Sequence, residues 1–223
     1  MRRRMMMNNA RLPSEYQEVE YIESADRYCC INTEIIPSQT FEYDFVFYNG
    51  ELYESNVYIL GTAAASSRPR LNLGLHASGI DYTYFCVFNN ESGGNTSTNF
   101  GNNIASLRVK HRLKTSGNIL AHTVLCDIDG HKIGNIYKPN LPYNVPLRFF
   151  NYVNDINAGA AQMRVYYFSL KNDGALVREM IPCYRKSDNV AGMYDLCGST
   201  CSLTNSPFYV NANTGVLIAG GNV

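Results

Sequence analysis

Apolar and polar positions alternate with a period of two along much of the chain. Phe41, Tyr43, Phe45 and Phe47 alternate with Glu42, Asp44, Val46 and Tyr48, and Leu71, Leu73 and Leu75 with Asn72, Gly74 and His76. Successive side chains of a strand point to opposite faces, so this rhythm predicts strands. Tyr82–Phe88 is aromatic and β-branched enough to predict a buried one. The same reasoning places strands at Leu107–Lys114, Ile119–Ile128, Leu147–Val153, Met163–Leu170, Val177–Tyr184, Val190–Leu196, Phe208–Val210 and Val216–Ala219. No segment holds a 3.6 period over three turns, and 155–162 offers one helical turn at most.

Turn chemistry separates these segments. Asn49-Gly50 carries the hairpin signature of two residues that tolerate positive φ, and Asp129-Gly130 and Asn172-Asp173-Gly174 are read as tight turns. Thr115-Ser116-Gly117-Asn118 is expected to turn between two strands, and Pro139, Pro142 and Pro146 to mark an irregular crossing. Residues 89–103, crowded with Asn, Ser, Gly and Thr, are expected to form a long surface loop. About a dozen strands at roughly 8–14 residue intervals predict an all-β, two-sheet antiparallel sandwich.

Composition agrees with that frame. Gly, Asn, Tyr, Ser and Thr are plentiful, which favours short strands and tight turns over helices. The formal net charge is +0, so no global field draws the chain toward nucleic acid or an anionic membrane, and neither is expected as a partner. No run approaches the roughly 18 apolar residues of a membrane span. The start, Met1-Arg2-Arg3-Arg4-Met5-Met6-Met7-Asn8-Asn9, has the basic end of a signal peptide. It lacks the ~7–15 residue apolar region that follows one. Residues 1–11 are therefore read as a short basic arm and 12–223 as one domain. Seven cysteines cannot all pair within one chain, and reduced, buried thiols are expected. Cys29 and Cys30 should point to opposite faces of a strand. Cys197 and Cys201 have no nearby histidine to complete a zinc set, so neither a metal nor a cofactor is expected.

Candidate catalytic groups are sparse. Glycosidases of sandwich folds set carboxylates at alternate positions of one strand, where two can act about 5–5.5 Å apart. Glu42 and Asp44 come nearest, but Val46 stands at the third position, and Glu18 and Glu20 are followed by Ile22. Asp127-Ile128-Asp129-Gly130 lacks the further oxygen ligands of a calcium loop and reads as a hairpin turn. His76, His111, His122 and His131 lie in or beside strands with no nucleophile elbow. No enzyme is expected.

Binding candidates are clearer. Arg108, Lys110, Arg112 and Lys114 would project from one face of an extended strand, a basic face for an acidic partner or a solvated one neutralised by neighbouring carboxylates. Arg2, Arg3 and Arg4 could order on assembly or fray. Asn89, Asn90, Asn95 and Asn99 supply amides suited to sugar hydroxyls, as any exposed loop would. Tyrosine is abundant and tryptophan absent, leaving the weaker stacking platform for a glycan.

Leu12-Pro13-Ser14-Glu15-Tyr16 and Glu18-Val19-Glu20-Tyr21-Ile22-Glu23-Ser24 resemble the start of a laminin G-like jelly-roll domain. Arg164-Val165-Tyr166-Tyr167-Phe168, Asp173-Gly174, Leu176-Val177-Arg178, Ile181-Pro182-Cys183, Gly192-Met193-Tyr194-Asp195-Leu196 and Asn211, Thr214, Gly215 and Gly220 follow in the family's order. The family's tight glycine turn after the first strand is remodelled here into Ser24-Ala25-Asp26-Arg27-Tyr28-Cys29-Cys30, so nothing carries over to Asp26 and Arg27. The resemblance frames 12–223 and implies a laminin G-like, concanavalin A-like jelly roll, as found in proteins of gut bacteria and their phages. It implies the ligand hardly at all.

A surface-type jelly roll with an odd cysteine count and no recognised export signal fits a phage structural protein, assembled in the host cytoplasm and carried out on the virion. The expectation is a non-enzymatic head-fibre, decoration or tail-associated component that contacts other virion proteins, self-associates, with a trimer as the guess, and reaches a host surface glycan. The competing expectation is a carbohydrate-binding module of a bacterial surface protein.

Overall fold

The computed structural model describes residues 12–50, 56–62, 71–78, 81–89, 95–99, 108–121, 123–136, 145–150 and 162–223. Among them there is no helix, and 17 strands form two antiparallel sheets. The strands are β1 (Tyr16–Glu18), β2 (Ile22–Ser24), β3 (Ile31–Asn32), β4 (Thr40–Asn49), β5 (Asn56–Gly61), β6 (Leu71–Ser78), β7 (Asp81–Asn89), β8 (Asn95–Asn99) and β9 (Lys110–Asn118). They continue as β10 (Thr123–Ile128), β11 (His131–Ile136), β12 (Arg148–Phe149), β13 (Met163–Asn172), β14 (Ala175–Arg185), β15 (Val190–Asp195), β16 (Phe208–Tyr209) and β17 (Leu217–Ala219). The large sheet runs β11-β10-β9-β4-β13-β14-β15-β16, with β1 on β14, β2 on β13 and β17 on β2. The second runs β3-β12-β5-β6-β7-β8.

Strand β4 shows why the sequence folds this way. Phe41, Tyr43, Phe45 and Phe47 are all buried, while Glu42 is exposed and Asp44, Val46 and Tyr48 are half-buried on the opposite face. Phe45 packs on Phe149 of the second sheet at 5.7 Å between ring centroids, and Phe149 on Phe168 of β13 at 5.6 Å. Each such ring contributes about 1.5–3 kcal/mol by leaving water. A one-residue slip of β4 would turn all four aromatics to solvent, so burial fixes its register.

The turns at Asp129-Gly130 and Asp173-Gly174 are as expected. Both residues of each pair have positive φ, and the turns close β10–β11 and β13–β14. Three expectations need correction. Thr115–Asn118 is not a turn: it continues β9, pairing residue by residue with Thr40–Tyr43. The reversal lies after Asn118, whose side-chain oxygen accepts the Ala121 N–H at 2.9 Å. Asn49-Gly50 closes no hairpin, because β5 belongs to the other sheet and Gly50 N–H is bound by the Gln162 carbonyl at 3.2 Å. Residues 95–99 are not loop: β8 pairs with β7, Asn89 opposite Asn95, a ladder suited to Thr96 and Thr98. Of the single helical turn considered for 155–162, only Gln162 lies within the described residues.

The remodelled segment after β2 is tied to the C-terminus. Asp26 accepts the N–H of Tyr28 at 2.8 Å and of Val216 at 3.3 Å, and the Cys29 thiol donates to the Val216 carbonyl at 3.1 Å. Cys29 and Cys30 precede β3 and are both buried, contrary to the expectation that strand alternation would split them between faces.

Candidate functional site

The outer face of the large sheet carries the basic strand found in the sequence. Lys110, Arg112 and Lys114 of β9 are exposed, while His111, Leu113 and Thr115 are buried between them. Arg108 does not join them: it precedes the strand with φ of 62°, its N–H bound to the Asn49 carbonyl at 2.7 Å. The ladder therefore has three members in register.

Neighbouring strands supply its counter-charges. Lys132 of β11 stands opposite Asp127 of β10, Asp127 opposite Lys114, Lys114 opposite Asp44 of β4, and Asp44 opposite Ser169 of β13. Charge thus alternates across the sheet at the strand spacing of about 4.8 Å. Arg112 reaches diagonally to Asp44, its Nε donating to Oδ1 at 2.8 Å and its Nη2 to Oδ2. That hydrogen bond holds the Arg112 guanidinium still more firmly protonated. Lys171 pairs with Glu42 at 3.4 Å. Lys114 and Lys132 differ: among the described residues neither ammonium is within ion-pairing distance of a carboxylate. Asp127, between them, instead accepts the Gly130 N–H at 2.7 Å.

Two depressions of about 640 and 500 Å³ lie on this region and share Glu42, Ser116 and Leu125, so they form one trough. One end is bounded by Thr40, Asn118, Thr123 and Gly174, the other by Lys114, Asp127, Lys132, Ser169 and Lys171.

A feature not anticipated from the sequence lies toward the Lys110 end of β9. Pairing between β13 and β4 jumps from Val165–Phe47 to Tyr167–Val46, leaving Tyr166 as an extra residue in a β-bulge. Tyr166 and Tyr167 are consequently both half-buried instead of alternating in and out. The Lys110 ammonium lies 3.6 Å from the Tyr166 ring centre, and Tyr21 packs beside that ring at 5.6 Å. Arg164 sits against Tyr21 and Tyr48 and donates to Glu23 at 2.7 Å. Burial pushes the Tyr166 and Tyr167 hydroxyls above their ordinary pKa. No sequence signal marks the bulge, because it depends on a partner strand's register.

Other candidates resolve into structural roles. His111 is buried, and its Nδ1–H donates to Asp129 at 2.6 Å while Asp129 also accepts the Arg112 N–H at 2.8 Å. This strut pins the β10–β11 turn to β9. Cys29, Cys30, Cys126, Cys183, Cys197 and Cys201 are free, and no group of three or more His, Cys, Asp or Glu among the described residues could hold a metal. Glu18 is half-buried on β1 and Glu20 exposed. Arg2, Arg3, Arg4, Asn90 and His122 lie outside the described residues, whereas the backbones of Asn89, Asn95 and Asn99 fall in β7 and β8.

No family model and no curated protein matches the sequence. Solved structures do match. Domains LG4-5 of the mouse laminin alpha1 chain superpose with a TM-score of 0.55 at 11% identity, covering 92% of this chain and 46% of that one. The heptameric SAP-like pentraxin from Limulus polyphemus gives 0.55 at 6% identity, covering 92% and 96%. Full-length tailspike protein 2 of an Escherichia coli O157:H7 bacteriophage gives 0.54 at 9% identity, covering 79% and 31%. The chain thus spans about half of the laminin structure and a third of the tailspike. At these identities the likeness is one of fold. The chain is an all-β, two-sheet jelly-roll sandwich of the laminin G-like, concanavalin A-like kind.

Proposed function

We propose that the chain is a non-enzymatic attachment domain of a phage particle, a head-fibre, decoration or tail-associated component assembled in the host cytoplasm. The observation that carries the non-enzymatic part is the pairing on the outer sheet face. Both oxygens of Asp44 are engaged by Arg112, and Glu42 is engaged by Lys171. Glycoside hydrolysis needs one carboxyl group free to donate a proton and a second free to attack or to activate water. The two carboxylates nearest to that arrangement are committed to cations. This pairing supports a sandwich that presents a surface without reacting, and the fold it shares with a phage tailspike supports its placement on a particle without bearing on activity.

In this reading Arg2, Arg3 and Arg4 dock on other virion proteins, and copies of the chain associate as a trimer. Mass spectrometry of purified particles tests the placement, and absence from virions overturns it. Deleting residues 2–9 should abolish incorporation and leave a folded domain, and unchanged incorporation refutes docking by the arm. Light scattering on the purified protein reads the trimer directly. The trough favours a second reading, a carbohydrate-binding module of a bacterial surface protein. A glycan array tests it, and no signal at high protein concentration counts against it.

A further inference from the structure

We infer that the trough on the outer face of the large sheet is a binding groove for an acidic glycan of the uronate type, with Lys114 and Lys132 contacting its carboxylates. The inference rests on the reading of this sandwich as an attachment domain and names the ligand class and the site.

Charge is the first argument. Lys114, Lys132 and Lys171 line the trough together with Glu42, Asp44 and Asp127, and Arg112 pairs with Asp44 from the same strand as Lys114. Arg112 and Lys171 are consumed by Asp44 and Glu42. Lys114 and Lys132 stand opposite the same aspartate, yet neither reaches a carboxylate within the described residues. Two uncommitted ammonium groups in a concave setting favour an anion there.

Spacing is the second. The two lysines flank Asp127 from strands on either side of β10, roughly 9–10 Å apart by strand spacing. Such sparse positive charge suits a polymer with one carboxylate per ring. Nucleic acid, whose duplex carries a charge per ~1.7 Å, is far denser in charge than this spacing and would meet the Asp127 carboxylate between the lysines.

The lining is the third. Hydroxyls of Ser116, Ser169 and Thr123 and the amide of Asn118 both donate and accept, as sugar hydroxyls require. Leu125 is 41% exposed on the stretch common to both depressions and offers an apolar floor for the C–H face of a ring. Lysines on a flat surface would carry no such argument.

Isothermal titration of the full chain with hexameric oligogalacturonate, maltohexaose and an oligothymidylate tests this. Oligogalacturonate should bind and maltohexaose should not, and the K114A/K132A double variant should lose about tenfold or more in affinity. The K186A variant should bind like the wild type, because Lys186 lies at the far end of β14 and bonds the Ser14 carbonyl. Unchanged affinity in K114A/K132A overturns the inference, as does failure of oligogalacturonate to bind or tighter binding of oligothymidylate. Circular dichroism of the double variant guards against loss of fold, and the conservative K114R/K132R variant should retain binding. Particle incorporation is read separately, so an empty groove on a protein still found in virions refutes the groove alone.

Discussion

The ring of Phe41 occupies the space in front of Gly117, its direct cross-strand partner: a Cβ at position 117 would come within 2.3 Å of the ring's Cε1 and Cζ. Phe41 is buried and cannot swing into solvent without exposing core. Gly117→Ala should therefore destabilise the domain by about 1–3 kcal/mol, the usual cost of overpacking. Urea unfolding checks this, and trimming the ring with Phe41→Leu in the same chain should recover part of the loss. A change under about 0.5 kcal/mol would mean that the ring yields freely.

Arg178 and Asp195 form a buried ion pair at 3.6 Å between β14 and β15. The guanidinium also donates to the carbonyls of Thr33 at 3.1 Å and Val177 at 2.9 Å. Asp195 accepts the N–H groups of Glu179 at 3.0 Å and Cys197 at 3.1 Å. Asp195→Ala strands a buried cation and two backbone donors together, for an expected loss of about 3–5 kcal/mol. Asp195→Asn, which keeps an acceptor, should lose less. Equal losses in the two variants by thermal melting would remove the charge from the explanation.

How much of this was readable beforehand differs by element. Strand β4 was legible because one face is wholly buried, so its pattern is undiluted. Strand β12 falls within Leu147–Val153, read from the sequence as a strand, whereas β3, two residues long, holds its conformation through β12 and is too short for a periodicity of its own. Gly117 was misread as a turn residue because a glycine in a strand, needed for close approach of a ring, looks locally the same as one needed for a turn. At the candidate site the basic alternation of Lys110, Arg112 and Lys114 was visible. Neutralisation by neighbouring carboxylates was expected too, but not that Asp44 would take Arg112, since that carboxylate arrives from a distant strand whose register only folding sets. The same holds for the freedom of Lys114 and Lys132 and for the bulge at Tyr166.

Alkaline pH should weaken the domain before it reaches the lysine range. Burial raises the Cys29 thiol to about 12 and Cys30 to about 11, and it raises Cys183 further, from an ordinary value of 9.0. Tyr209 rises to about 12, again mainly by burial. Above pH 9.0 the unfolded chain releases thiol protons that the folded chain retains, so the folded state binds more protons and stability falls with rising pH. The fall should run from about pH 9 to about 12, past which the folded thiols titrate as well. Thermal melts at intervals across that window check it, and the C30A/C183A variant should show a shallower decline. A flat profile to pH 11 would contradict the burial of these thiols.

Tyr166 is the one residue of β13 without a partner on β4 in a ladder that is otherwise continuous from Met163 to Asn172. Deleting it joins Val165 directly to Tyr167, which leaves Val165 and Phe168 facing the core and Tyr167 facing out. The cost is that of the lost contacts with Lys110 and Tyr21 and the lost hydrogen bond with Arg164, about 1–2 kcal/mol. Deleting Ser169 instead puts Leu170 on the outer face and Lys171 on the core face, because the side-chain period is two. The first variant should remain folded with native near-ultraviolet dichroism, and the second should not. If loss of Tyr166 proved as damaging as loss of Ser169, the bulge would be required by the curvature of the sheet and not merely accommodated in it.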